Sequence, residues 1–201
     1  MYFAKDKYHN HSGVYCDLCD ELLPVKPEQD TNGYYLIETP SHLLWFANLI
    51  NGGQENGNAN AKLMNDITIN SDVLDENGNL KTETFIPWTP IGNEEYRCPY
   101  MGTFDGNGYT ISGLYFDDNT TPDVGLFGSV VGGTITKLRV ADSYFNGKEN
   151  VGGICGSNYN GGTISECYVE ANVTGVKYAG GICGYNKDSE IKNCFHEGMV
   201  F

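Results

Sequence analysis

Apolar residues recur along this chain in short alternating runs closed by Gly, Asn and Asp. Ile135, Leu138 and Val140 make one such run, and Ile164, Cys167 and Val169 another. A two-residue period over runs this short predicts strands joined by turns rather than helices. The runs lie in longer segments that align with one another: "VGLFGSVVGGTITKLRV" from Val124, "VGGICGSNYNGGTISECYV" from Val151 and "AGGICGYNKDSEIKNCFHEGMV" from Ala179. Gly128, Gly156 and Gly184 close the first motif of each segment at spacings of 28 and 28, and Ile135, Ile164 and Ile191 follow at spacings of 29 and 27. A period this constant, slipping by single residues in the turns, marks stacked rungs. One rung cannot bury its own apolar face, but rungs stacked about 4.8 Å apart pair their strands and pile like residues into interior ladders. The expected fold is all-β, a right-handed parallel β-helix.

Three ladders are expected from the alignment: Leu126, Ile154 and Ile182; Phe127, Cys155 and Cys183; and Leu138, Cys167 and Cys194. Adjacent residues of a strand point to opposite faces, so the first two can both be interior only if a turn intervenes. The glycines around them read as tight bends or positive φ angles. "GTFDGNGYTISGLYF" from Gly102 continues the rungs upstream, with Ile111 and Leu114 standing 24 residues before Ile135 and Leu138. "AKLMNDITI" from Ala61 begins them, and Ser71 to Pro99 reads as an irregular loop carrying Trp88, Pro90 and Cys98.

Before the rungs the period changes. "GYYLIET" from Gly33 is a strand candidate. Thr39 then caps a helix with Pro40 in its first turn, Leu43, Leu44, Ala47 and Ile50 as its apolar face, and Asn51-Gly52-Gly53 at its end. An amphipathic helix in this place acts as a plug over the exposed core of the first rung. The chain therefore divides into residues 1–30, a short Cys/His-containing extension or linker; 31–60, a strand plus capping helix; and 61–201, the solenoid, whose clearest repeats are 123–149, 150–177 and 178–201. The last residues, Gly198-Met199-Val200-Phe201, stop inside a repeat without a polar cap, so the solenoid is expected to continue in a longer protein or to be capped by self-association.

Composition narrows the function. With 26 acidic against 12 basic residues the net charge is −14, and the basic residues form no stripe, which argues against nucleic acid as a partner. No stretch approaches the roughly 20 apolar residues of a membrane span, and the first residues lack the apolar core of a secretory signal. The seven cysteines are an odd number, so they cannot all pair internally. Cysteines on neighbouring rungs fall within the Cα window of roughly 4.4 to 6.8 Å for a disulfide, yet parallel in-register strands aim both Cβ atoms the same way. Free buried thiols are expected, with disulfides the alternative.

The strings Gly125-Leu126-Phe127-Gly128, Gly153-Ile154-Cys155-Gly156 and Gly181-Ile182-Cys183-Gly184 resemble the GLUG repeat family of bacterial surface proteins, named for its Gly-Leu-any-Gly core. The upstream run "YYLIETPSHLLWFANLIN", "AKLMNDITI", "WTPIG" and "GTFDGNGYTISGLY" is similar to the region preceding such repeats in large secreted proteins of gut Firmicutes and related anaerobes. The resemblance covers about Gly33 to Phe201. It implies a secreted or cell-surface location and a neighbourhood of adhesins and immunoglobulin A peptidases, with no catalytic residue in the repeat itself.

Four constellations remain. His9, His11, Cys16 and Cys19 offer two nitrogens and two thiolates in eleven residues, a donor set suited to structural zinc; a flexible tail or a small disulfide is the alternative. The oxygen-rich loop from Asp72 to Asn79 lacks the closing glutamate of an EF-hand, so a turn is expected there and calcium is not. Asp142, Glu170 and Glu197 recur at spacings of 28 and 27 and read as a solvated acidic edge rather than a catalytic pair. Tyr144, Tyr159, Tyr168, Tyr178 and Tyr185 fall in or near turns, where flat rings with polar tips suit a glycan or a host or bacterial surface protein. The expected function is a non-catalytic adhesion or ligand-binding module. The alternatives are a polysaccharide-processing β-helix enzyme and a purely structural stalk.

Overall fold

The structure, a computed structural model, describes residues 22–53, 56–93 and 98–201. It is a parallel β-solenoid of about six turns with a short helix near its start. Three sheets run along its axis. The first joins β1 (Tyr35–Ile37), β2 (Ala61–Leu63), β4 (Thr103–Asp105), β8 (Thr134–Thr136), β11 (Thr163–Ser165) and β14 (Glu190–Lys192). The second joins β7 (Phe127–Val131), β10 (Cys155–Tyr159) and β13 (Cys183–Lys187). The third joins β3 (Ile67–Thr68), β5 (Thr110–Ser112), β9 (Arg139–Gly152), β12 (Tyr168–Gly180) and β15 (Phe195–Glu197), with β6 (Tyr115–Asp117) pairing the later part of β9.

The ladders follow from this register. Phe104, Ile135, Ile164 and Ile191 stack in the first sheet, and Ile67, Ile111, Val140, Val169 and His196 in the third. Ile111 thus stacks beneath Val140, not beneath Ile135. An Ile-x-x-Leu pattern occurs on either side of a corner, and the turn Asp105-Gly106-Asn107-Gly108 places Ile111 one strand later than the 24-residue spacing implies. Leu126 and Phe127, like Ile154 and Cys155, are all fully buried although adjacent. A bend at Gly125 and Leu126 turns the chain just before β7, which is the intervening turn that double burial requires.

Of the two causes expected for the motif glycines, a bend is present at Gly125, Gly153 and Gly181, but positive φ is not. Gly125, Gly128, Gly153, Gly156, Gly181 and Gly184 are absent from the positive-φ positions. What excludes a side chain is the neighbouring rung: a Cβ on Gly156 would lie 2.5 Å from the Cα and carbonyl carbon of Asp123, and one on Gly184 would lie 2.5 Å from the carbonyl carbon of Asn150. The left-handed corners fall instead on Asp123, Asn150 and Tyr178 (φ 55, 55 and 58°) and on Lys137, Glu166 and Asn193 (φ 53, 54 and 53°).

α1 (Pro40–Asn51) begins where the sequence predicts, with the Thr39 hydroxyl accepting from the His42 amide at 3.2 Å. Its face of Leu43, Phe46, Ala47 and Ile50 is buried in the core. The Phe46 ring meets those of Tyr100 and Phe104 at 6.1 and 6.0 Å, which closes the first turns as a plug does. The loop after β3 is less foreign than it reads in sequence. Ile91 bridges Phe127 and Tyr100 bridges Val130, both in parallel, so its end extends the second sheet by one level. Its Trp88 is buried, the indole N–H donating to the Leu126 carbonyl at 3.1 Å.

Cys155, Cys167, Cys183 and Cys194 are free thiols. Cys155 and Cys183 stand in register with their sulfurs 3.5 Å apart, continuing the ladder that runs through Phe127.

Candidate ligand-binding groove

Three of the five candidate tyrosines converge on one concavity beside the second sheet. Val131, Tyr159 and Lys187 are register partners on three successive rungs, at the ends of β7, β10 and β13. Tyr185, two residues earlier on the last of these rungs, has its ring 5.6 Å from Tyr159 and 5.8 Å from Tyr178. Tyr178 arrives from the corner of β12, in the slot held one and two rungs earlier by Asn150 and Asp123. These side chains, with Pro99, Met101, Glu149, Asn150 and Asn160, line a groove of about 990 Å³. That volume is at the upper end of the roughly 300–1,000 Å³ typical of small-ligand sites.

The charges around the groove are specific. The Lys177 ammonium lies 3.4 Å from a Glu149 carboxylate oxygen and 4.4 Å from the centre of the Tyr178 ring. The hydrogen bond and attraction from Glu149 raise the Lys177 pKa, so it stays fully protonated at neutral pH. Lys187 has no carboxylate within ion-pair distance among the described residues.

Tyr144 and Tyr168 are placed elsewhere, on the third sheet. Tyr144 stacks on Tyr115 at 6.1 Å with an interplanar angle of 22°, and Phe85 adds a ring 5.2 Å from Tyr115. Tyr168 stacks on Phe195 at 5.6 Å, carries the Arg139 guanidinium over its ring at 4.6 Å, and donates its hydroxyl to Glu197 at 2.6 Å. That hydrogen bond raises the Tyr168 pKa, because ionising the phenol would set it against the carboxylate it serves. The five tyrosines therefore form one groove of three and two stacked pairs.

The acidic positions separate in the same way. Glu170 and Glu197 are register partners, with Glu170 held by Arg139 at 3.0 Å. Asp142 does not join them. The pairing of β9 with β12 slips between Val169 and Ala171, leaving Ala141 and Asp142 opposite Glu170, and the Asp142 carboxylate accepts from the Val73 and Leu74 amides at 3.0 and 2.8 Å. In the loop from Asp72 to Asn79, the Asp75 carboxylate accepts from the Asn77 and Asn79 amides, both at 2.8 Å, and these bonds lower its pKa. That is the geometry of an Asx turn. The zinc candidates His9, His11, Cys16 and Cys19 lie outside the described residues.

Sequence reasoning missed the partners of the tyrosines. Lys187 is Tyr159 carried one 28-residue period forward, and Tyr178 is Asn150 carried forward by the same step. The period that places the glycines would have brought Glu149, Asn150 and Lys187 to the same wall.

Fold and groove together define a glycine-punctuated parallel β-solenoid with an aromatic recess on one face. Residues 147–174 match the GLUG motif, a span that runs from the end of β9 through β10 and β11 into β12 and so covers one full turn. The chain is a GLUG-repeat β-solenoid. It is 32% identical over 141 residues, 68% of its length, to a protein of Evansella cellulosilytica named as a Gly-rich membrane protein, of which the match covers 14%. Its fold is shared, at a TM-score of 0.53 and 19% identity, with a crystal structure from Bacteroides ovatus described as an immunoglobulin A1 protease; the match covers 88% of this chain and 60% of that one. Among the described residues no helix is long and apolar enough to cross a membrane.

Proposed function

We propose that this chain is a non-catalytic module of a secreted or cell-surface protein that binds glycan through the groove of Tyr159, Tyr178 and Tyr185. The observation that carries the reading is the convergence of three tyrosines from two rungs and one corner on a single concavity. Flat rings offer stacking surfaces for the C–H faces of sugars, while phenol hydroxyls and the Asn160 amide supply hydrogen bonds to hydroxyl groups. Tyr178 supports it further, since a bulky phenol takes the left-handed corner that the two earlier rungs give to Asp123 and Asn150, residue types that tolerate this φ better. The three carboxylates that recur near the rung ends are employed otherwise: Asp142 caps two amides, Glu170 holds Arg139 and Glu197 holds Tyr168. The GLUG match and the name of the Evansella relative support the surface location.

A glycan array tests the proposal. The wild-type chain is expected to retain a restricted set of glycans, and Tyr159→Ala and Tyr185→Ala to lose them while melting as the wild type does. Retention of no glycan, with no depolymerising activity, would favour a structural stalk. Release of reducing ends from any retained polysaccharide would overturn the non-catalytic reading.

A further inference from the structure

We infer that the groove takes an acidic oligosaccharide, its sugar rings against Tyr159, Tyr178 and Tyr185 and a uronate carboxylate against the Lys187 ammonium. The inference rests on the tyrosine groove being the binding face, and adds the class of sugar.

Charge carries the argument. The chain as a whole bears −14, so a polyanion is repelled from most of its surface and settles only where local charge reverses. Glu149 is the carboxylate among the groove's lining residues, and it is already engaged by Lys177. Lys187 lines the same wall with no carboxylate within ion-pair distance among the described residues, which leaves the recess with an uncompensated positive charge. A bound carboxylate would supply that missing partner through a charge-assisted hydrogen bond.

Geometry then orders the ligand along the axis. Val131, Tyr159 and Lys187 lie in register on three rungs, so an apolar, an aromatic and a cationic position follow one another at the spacing of about 4.8 Å between strands. An extended chain of sugars laid along them meets apolar Val131 and Met101 at one end and the ammonium at the other. A neutral sugar would satisfy the rings and leave Lys187 idle, whereas an acidic peptide would satisfy Lys187 and make poor use of three rings set for flat faces.

Calorimetric titration in low-salt buffer with a chelator, using an oligogalacturonate, a cello-oligosaccharide of equal length and a poly-glutamate peptide, decides the matter. The oligogalacturonate is expected to bind, and to bind more weakly as salt screens the charge. Lys187→Gln, an exposed position whose substitution should leave the melt unchanged, is expected to weaken that binding by about tenfold. Equal binding of the neutral oligosaccharide, indifferent to Lys187→Gln, would overturn the acidic assignment and leave the tyrosine groove standing. Equally tight binding of poly-glutamate would overturn the saccharide assignment. Failure of all three probes, or oligogalacturonate binding that survives both Tyr159→Ala and Tyr185→Ala, would remove the groove reading and this inference with it.

Discussion

Replacing Gly156 by Ala puts the steric account of the repeat to a quantitative test. The new methyl would stand 2.5 Å from the Cα and carbonyl carbon of Asp123, where non-bonded carbons prefer roughly 3.5–4.0 Å. Either the corner or β10 must then move by about 1 Å. The corner resists: the Asp123 amide donates to the Glu149 carbonyl at 2.9 Å, and its carboxylate accepts from Ser157 and from Asn150. Overpacking a rigid site costs about 1–3 kcal/mol, and an obstacle made of backbone places this case at the upper end. For a chain of this size each kcal/mol lowers the melting temperature by about 2–4 °C, so a fall of about 6–12 °C is expected. Gly161→Ala is the control. It has φ 86° and no heavy atom within 4 Å of a built Cβ, so the substitution meets only left-handed strain, about 1–2 kcal/mol. Thermal and urea melts followed by far-ultraviolet circular dichroism compare the two. If Gly156→Ala costs no more than Gly161→Ala, the close approach of rungs is not what the motif glycine serves.

Other expectations follow from the same structure. Ile164→Asp should abolish the cooperative melt, because an unpaired charge would enter a fully buried position of its ladder; a retained transition would mean the interior is misplaced. Ile164→Ala removes three carbons from that ladder and should cost about 2–5 kcal/mol, while Ile191→Ala, in the same ladder but 37% exposed, should cost clearly less in denaturant titrations; equal costs would mean that Ile191 is covered in solution. Hydrogen bonding from Cys167 lowers the Cys194 thiol to about 7, whereas burial raises Cys155 well above the usual range. Maleimide labelling mapped by mass spectrometry should therefore modify Cys194 increasingly as pH rises through about 7, and leave Cys155 unmodified until unfolding; early modification of Cys155 would refute its burial. Metal analysis of the purified chain should find about one zinc that is lost in Cys16→Ser; a metal-free chain would dispose of the site expected from His9, His11, Cys16 and Cys19.

The architecture was legible because a solenoid repeats its packing problem. Every rung must bury the same face against its neighbour, so Gly156, Ile164 and Cys167 have counterparts one period away. The capping helix was legible for a local reason, since Thr39 and Pro40 define its start without help from the rest of the fold. Errors arose where period and pattern disagree. Ile111 imitates Ile135 in its neighbours but belongs to another sheet, and Asp142 keeps the spacing of Glu170 and Glu197 while a bulge turns it to cap a loop. The groove was half legible. Tyrosines near turns are visible in sequence, but which of them share a wall depends on where each corner falls.

The left-handed corner occupied in turn by Asp123, Asn150 and Tyr178 shows how such a protein could acquire new surfaces. One backbone slot has accepted an acid, an amide and a phenol, while the strands on either side kept their register. Scaffold and display are thus written on separate positions of the same turn. Duplicating a turn would copy the core intact and leave its corner open to a new residue, so a recess built between adjacent turns can diversify one letter at a time without renegotiating the fold.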